Sequence, residues 1–290
     1  MPLEVKSSAK INLTLEVLYK RKDGYHQIKT ILQELQLHDT IYLEELSEGE
    51  LELVCEDKSL PQGEENLAFK AAKMLKEFHA PQKGARITLI KRIPVASGLG
   101  GGSSNAAAVF KGLNRLWELS LAPERLRELG ALVGSDVPFF IYGGTALAEG
   151  RGELIKPLFP FPQVHVLLAA PPGRGLSAAQ VYGRLSLDKI SGAGTNTDKI
   201  VELLDKEAPL GHKSPEIFFK FLCNDLEEPV FLLEKDVFLL KSYLTKKRLP
   251  ALVSGSGPTV FALSCDAGKL EETAKELSLK GCRVILTKTK

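Results

Sequence analysis

The feature that most narrows what this chain can fold into is a run of glycines, Gly98, Gly100, Gly101 and Gly102, broken only by Leu99 and closed by Ser103 and Ser104. It lies in the stretch PVASGLGGGSSNAAAVF, Pro94 to Phe110. Glycine reaches backbone conformations barred to other residues and lets a ligand approach the main chain. Downstream, Val109, Leu113, Leu116 and Trp117, flanked by Phe110, fall at helical spacing and make one apolar stripe. The loop therefore opens a helix, whose first N–H groups are unpaired and whose N-terminus is the positive end of the dipole. With a strand read over Ala85 to Arg92 just before it, the arrangement is a cradle for a polyphosphate. A flexible surface linker would not set an apolar Leu99 among its glycines or end on two serines.

Two other phosphate loops are excluded. The Walker loop requires a lysine directly before its terminal serine, and Gly102 stands before Ser103. A dinucleotide fold requires a second strand and an acidic residue after the helix, whereas Leu121 to Val133 reads as a further helix, begun by Pro123 and closed at Gly134.

The rest of the chain supplies the setting. A length of 290 residues suits two domains, and the shift in composition at Phe159-Pro160-Phe161-Pro162 divides it into 1–157 and 158–290. Lys and Arg total 38 against 36 for Asp and Glu, a net charge of +2, so nothing global points to nucleic acid or to an anionic membrane. Cys55, Cys223, Cys265 and Cys282 are far apart and form no C-x-x-C pair, which reads as buried thiols. No signal-like leader and no long apolar run is present, so the expected setting is cytoplasmic.

From Ala9 to Val17 the pattern alternates, with Ala9, Ile11, Leu13, Leu15 and Val17 on one face and Lys10, Asn12, Thr14 and Glu16 on the other. Taken alone, that polar face reads as solvated. Lys22-Asp23-Gly24 supplies a hairpin turn, and Tyr25-His26 opens a strand through Ile28, Ile31 and Leu35 toward Leu37. Separate strands are expected at Thr40 to Leu46 and Glu50 to Cys55, then a helix from Asn66 to Phe78. Asp136, in GSDVPFFIYGG, either caps a short helix containing Pro138 or presents a carboxylate at the edge of a buried element. The residues alone leave both readings open.

Beyond the boundary the expected order is a strand (Val164 to Ala169), a helix (Ser177 to Leu185) and a polar stretch (Ser191 to Asp198). Helices run to Lys247, followed by strands at Leu249 to Val253 and Thr259 to Leu263, a helix at Lys269 to Leu279 and a strand at Arg283 to Leu286. Without the inserted helices this is β-α-β-β-α-β, a ferredoxin-like order. Between the middle strands SGSGPTVFA, Ser254 to Ala262, makes a second tight loop, which by itself is only a hairpin candidate.

Three of these stretches together resemble the GHMP kinases. They are the N-terminal strand with Lys10, the P-x-x-x-G-L-G-x-x-S-S pattern at Pro94 to Ser104, and S-G-S-G-P-T at Ser254 to Thr259. AKINLTLEVLYKRKDGYH, GLGGGSSNAA and GSDVPFF are most similar to the branch that serves non-mevalonate isoprenoid synthesis, whose acceptor alcohol carries cytidine diphosphate. The chain departs from the usual pattern at Ala96-Ser97, where glycines are common, and at Ser135, where alanine is common.

The resemblance implies an α+β kinase of two domains, an N-terminal half like ribosomal protein S5 domain 2 and a ferredoxin-like C-terminal half, with the acceptor in a cleft between them. It implies Lys10 and Asp136 as the catalytic pair and ATP as donor. ATP would be held by Asn66, Lys91 and the loop Pro94, Val95, Ala96, Ser97, Gly98, Leu99, Gly100, Gly101, Gly102, Ser103 and Ser104. It implies Asn12, Tyr25, His26 and Tyr182 around the cytidine handle, with His26 on the base edge and the two tyrosines stacking. Mg2+ arrives with ATP; Ser104 offers a hydroxyl, and no dedicated metal-ligating residue is assigned. His38, His79, His165 and His212 read as structural. A monomer or homodimer without nucleic-acid or membrane partners is expected. The alternatives are a kinase for another small alcohol, such as mevalonate or homoserine, and a non-enzymatic nucleotide-binding protein.

Overall fold

Alternation over the first twenty residues forms β1 (Leu3–Lys20), and the Lys22-Asp23-Gly24 turn, with Gly24 at φ +86°, returns the chain into β2 (His26–Leu46). In this computed structural model the described residues are 1–47, 49–57, 60–173, 175–190, 192–207 and 214–290; Ser191 and His212 lie outside them. β2 is one strand where two were expected; Asp39, between the two expected strands, is buried and accepts the Arg92 N–H.

Two compact units divide the chain discontinuously: 1–9, 37–95 and 100–143 in the first, and 10–36, 96–99 and 144–290 in the second. In the first, β3 (Leu51–Cys55) leads through α1 (Leu67–His79) to β4 (Gly84–Ile90). β4 pairs parallel with β3 and antiparallel with residues 40–46 of β2. The glycine loop then enters α2 (Gly101–Leu116), whose Val109, Phe110 and Leu113 are fully buried, as the apolar stripe predicts. Gly112 sets α2 close to β2, since a Cβ there would collide with the Leu43 side chain. α3 (Pro123–Val133) begins at its proline and ends at Gly134, and α4 (Val137–Tyr142) buries Phe139 and Phe140.

The second unit adds β5 (Thr145–Gly150), β6 (Leu154–Pro157) and β7 (His165–Ala170). β5 pairs antiparallel with residues 28–33 of β2 and with β6, a pairing the sequence did not suggest. α5 (Ala178–Tyr182) is shorter than the expected helix and starts from a Ser177–Gln180 capping box. α6 (Thr195–Glu207) takes up the end of the expected polar stretch. α7 (Glu216–Phe219), β8 (Cys223–Asn224), α8 (Glu227–Leu233) and α9 (Lys235–Lys246) follow. β9 (Ala251–Val253), β10 (Val260–Ser264), α10 (Ala267–Leu279) and β11 (Arg283–Lys288) complete the chain. The four-stranded sheet runs β11-β7-β10-β9. Numbered within the repeat that is 4-1-3-2, the order of the expected ferredoxin-like motif. Its core joins Leu167, Ala169, Val260 and Ala262 of the sheet to Val237, Leu240 and Leu270 of the helices.

Two expectations are corrected here. The face of β1 bearing Lys10, Asn12, Thr14 and Glu16 is not solvated, and every residue from Ser7 to Val17 is buried. For Thr14 and Glu16 the covering element is α6: Thr14 and Thr197 share a 2.7 Å hydroxyl hydrogen bond, and Glu16 accepts the Thr197 N–H at 2.8 Å. The carboxylate thus satisfies helix N–H groups that have no partner within the helix. The cysteines are all free, but only Cys55 is buried, Cys223 and Cys282 are half-buried and Cys265 is exposed. Burial and the nearby Glu16 carboxylate push the Cys223 thiol up to about 12, so it stays protonated at neutral pH. No helix among the described residues is long and apolar enough to cross a membrane.

Candidate active site

In the first unit the site is built around the head of α2. Gly100 is its N-cap residue at φ +71°, and no side chain caps the helix. The first N–H groups of α2 therefore face a position lined by small residues, where an anion can take the place of the missing cap. Lys91, at the end of β4, leans over this turn: a Cβ at Gly101 would lie 3.2 Å from its Nζ. The ammonium is ion-paired with Asp39 and donates to Asn105 Oδ1 at 3.2 Å.

Asp39 had no signal in the sequence. It is 0% exposed, and it also accepts the Arg92 and Ile93 N–H groups at 2.6 and 2.8 Å and Asn105 Nδ2 at 2.9 Å. Asn105 Nδ2 also donates to Ser7 Oγ, and Ser7 Oγ donates to Ser104 Oγ, both at 2.8 Å. The loop serine and the lysine are thus held by one buried network with Asn105, whose members Ser7 and Asp39 lie outside the quoted motifs.

Asn66 is the N-cap of α1, accepting the Ala68 N–H at 3.0 Å and donating to Pro61 O at 2.9 Å. The next residue, Leu67, brings this helix end to the loop, 3.5 Å from a Cβ built at Gly102. Asp136 occupies the N-cap position of α4, yet its carboxylate makes no capping hydrogen bond to that helix. The turn that carries it abuts the cradle, a Cβ at Gly134 falling 3.5 Å from Ser103 Oγ. The helix-cap reading of Asp136 left open by the sequence therefore has no hydrogen bond to support it.

The second unit holds its own group of candidate residues. Residues 96–99 of the glycine loop dock on the Ser254–Thr259 turn: Ser254 Oγ donates to Gly98 O at 3.0 Å, and Lys10 N donates to Leu99 O at 3.0 Å. Ser97 and Leu99 are buried and Val95 is half exposed. Ala96 stands at φ +50°, a left-handed conformation that glycine adopts more readily. Lys10 Nζ donates to Asn12 Oδ1 at 2.7 Å, and Asn12 Nδ2 donates to Thr30 Oγ1 at 2.9 Å. Gly255 closes one side, since a Cβ there would sit 3.3 Å from both Asn12 Oδ1 and Lys10 Nζ. Asn224 fixes that backbone by donating to Val253 O and Gly255 O at 2.8 Å each.

Gly98 follows as a test. It lies at φ +77°, and a Cβ there would collide with the Ser254 carbonyl oxygen and stand 3.1 Å from Gly257 O. Gly98→Ala is therefore expected to separate the two loops and weaken ATP binding by about tenfold or more, about 1.4 kcal/mol. Nucleotide titration of a variant whose circular dichroism is native checks this, and unchanged affinity refutes it.

The aromatic residues are placed differently from a simple sandwich of two tyrosines. His26 and Tyr182 stack on each other, with centroids 5.1 Å apart and planes at 23°. Tyr25 lies instead beneath the Arg151 guanidinium, 4.8 Å from its ring centroid, and is 53% exposed. Burial, aided by the charge of Lys20, lowers the His26 pKa below the usual histidine value. The imidazole is therefore neutral at pH 7 and offers one donor and one acceptor nitrogen.

Comparison with known proteins agrees with these motifs. The family description "GHMP kinases N terminal domain" matches residues 66–144. The chain is 45% identical over 268 residues to the 4-diphosphocytidyl-2-C-methyl-D-erythritol kinase of Bacillus cereus strain B4264, covering 91% of this chain and 88% of that protein. It is similar, with a TM-score of 0.81 and 32% identity, to a crystal structure of 4-(cytidine 5'-diphospho)-2C-methyl-D-erythritol kinase, covering 99% of each chain. The Methanococcus jannaschii mevalonate kinase, at 17% identity and a TM-score of 0.70 over 100% of this chain and 99% of that one, shares the fold.

Proposed function

From the premise that this chain belongs to the GHMP kinase family, we propose that it transfers the γ-phosphoryl group of ATP to the 2-hydroxyl of 4-diphosphocytidyl-2-C-methyl-D-erythritol, in the non-mevalonate isoprenoid pathway. The acceptor is the one named for its relatives, at 45% and 32% identity. The observation that most supports a phosphoryl-transfer site is the uncapped head of α2, with Lys91 beside Gly101 and the Asp136 turn against Ser103.

The division of labour follows from the chemistry. The acceptor oxygen forms a bond to the γ-phosphorus as the bond to the β,γ-bridging oxygen breaks, and ADP leaves. Asp136 takes the hydroxyl proton, and Lys10 steadies the charge that develops on the acceptor oxygen and the phosphoryl group. Such reactions depend mainly on positioning and charge neutralisation. The loop N–H groups from Gly100 to Ser103, with Lys91, supply these for the phosphates, and Asn66 borders the nucleoside. Bound Mg2+ would neutralise phosphate charge. No group of three or more His, Cys, Asp or Glu side chains is placed for a metal among the described residues. Of the loop side chains, the Ser104 hydroxyl would offer such an ion a ligand, and the rest of its coordination would come from phosphate oxygens and water.

For the acceptor, Tyr25, His26, Tyr182 and Asn12 are assigned to the cytidine end, His26 reading the base edge as a neutral imidazole. Stacking on an aromatic contributes about 1 to 3 kcal/mol per base. The division at 157/158 is kept as a functional one, and a monomer or homodimer acting without nucleic acid completes the proposal. A phosphate-transfer screen tests it, with ATP against the cytidylated acceptor, free methylerythritol phosphate, mevalonate and homoserine. Turnover is expected only with the cytidylated compound. Equal turnover of the free phosphate removes the cytidine pocket, and preference for mevalonate or homoserine assigns a different acceptor. Absence of turnover with retained ATP binding leaves the non-enzymatic alternative.

A further inference from the structure

We propose that Thr30 is a positioning residue for Lys10, acting through the side-chain amide of Asn12. The proposal rests on the assignment of Lys10 to the reacting groups. An ammonium on a four-carbon stem is mobile, and its use as a fixed charge requires something to aim it. The backbone of Lys10 is tied to the glycine loop through its N–H on Leu99 O at 3.0 Å. Its Nζ is aimed by Asn12 Oδ1 at 2.7 Å. What orients the amide is Thr30 on the neighbouring strand.

The hydroxyl of Thr30 donates its one proton to the Thr14 carbonyl oxygen, so only its lone pairs are left for Asn12. It accepts from Asn12 Nδ2 at 2.9 Å. That fixes the amide with its oxygen toward the ammonium. The flipped amide would set an NH2 group against an NH3+ group and an oxygen against a lone pair, and both contacts repel. Lys10, Asn12 and Thr30 are 4%, 3% and 1% exposed, so water does not offer substitutes for these bonds. A Cβ built on Gly255 would lie 3.3 Å from both Asn12 Oδ1 and Lys10 Nζ, so that turn leaves little room for rearrangement. Thr14 completes the arrangement, its hydroxyl accepting the Ile31 N–H at 3.0 Å and bonding to Thr197 at 2.7 Å, so the carbonyl that orients Thr30 lies on a strand held from both sides.

The test compares Thr30→Val, close to threonine in shape but without the hydroxyl, with Thr30→Ser, which keeps the hydroxyl. Thr30→Val is expected to lower kcat about tenfold or more, with the ATP dissociation constant unchanged, and Thr30→Ser to stay within about threefold of the parent. If the valine variant does not fold, Thr30→Ala against Thr30→Ser makes the same comparison. Lys10→Met and the double variant Lys10→Met/Thr30→Val separate this proposal from the assignment beneath it. If Thr30 acts through the lysine, the double variant is no slower than Lys10→Met alone. Equal kcat for the valine and serine variants overturns the proposal, as does an independent loss in the double variant. Full activity of Lys10→Met overturns the assignment of Lys10 instead.

Discussion

Asp136→Asn lowers turnover by about a hundredfold or more while ATP still binds, if the carboxylate takes the proton of the acceptor hydroxyl. Asparagine matches aspartate in shape but neither accepts a proton nor carries charge, so the change isolates the chemistry from the packing. The substitution removes no helix cap, because the Asp136 side chain makes no capping hydrogen bond to α4. Pro138, in the first turn of that helix, needs no N–H partner there. Melting the variant beside the parent separates a loss of chemistry from a loss of fold. Single-turnover rates with saturating ATP, set beside nucleotide titration, make the measurement. A rate within about threefold of the parent would return Asp136 to a structural role, since losing a positioned base costs far more than that.

The second large effect concerns stability. Asp39→Ala strips one buried carboxylate from two backbone N–H groups, an amide and the Lys91 ammonium, which is itself only 11% exposed. Removing one partner of a buried ion pair leaves the other charge uncompensated and costs about 3 to 5 kcal/mol. The expected signature in urea is a lower midpoint at unchanged slope, because the same surface is exposed on unfolding. In the double variant Asp39→Ala/Lys91→Met no buried charge is stranded, and part of the loss is recovered. A change below about 1 kcal/mol in the single variant would mean that water reaches the site and solvates Lys91.

The glycine cradle and α2 were legible because their information is local: glycines, two serines and an apolar stripe follow one another between Gly98 and Trp117. The ferredoxin-like order was legible for a related reason. Each strand and helix carries its own period, and their succession leaves few ways to close a sheet. Asp39 was not legible. It stands between His38 and Thr40 without a motif, and its donors come from Arg92, Ile93 and Asn105, more than fifty residues later.

β1 shows where the division falls. Its alternation determined that a strand forms and that Lys10, Asn12, Thr14 and Glu16 share a face, because the period of a strand is a property of the backbone. Whether that face meets water was decided by α6 and the Ser254–Thr259 turn, which bring Thr197 to Glu16 and Gly255 to Lys10. The aromatic residues divide in the same way. Sequence singled out Tyr25, His26 and Tyr182, but only the fold stacked His26 on Tyr182 and set Tyr25 under Arg151. What the sequence by itself determined was the elements and the chemistry each can offer, since these depend on near neighbours along the chain. What only the tertiary structure decided was which polar groups lose their water and which partner each then takes, because burial depends on residues that meet across more than a hundred positions of chain.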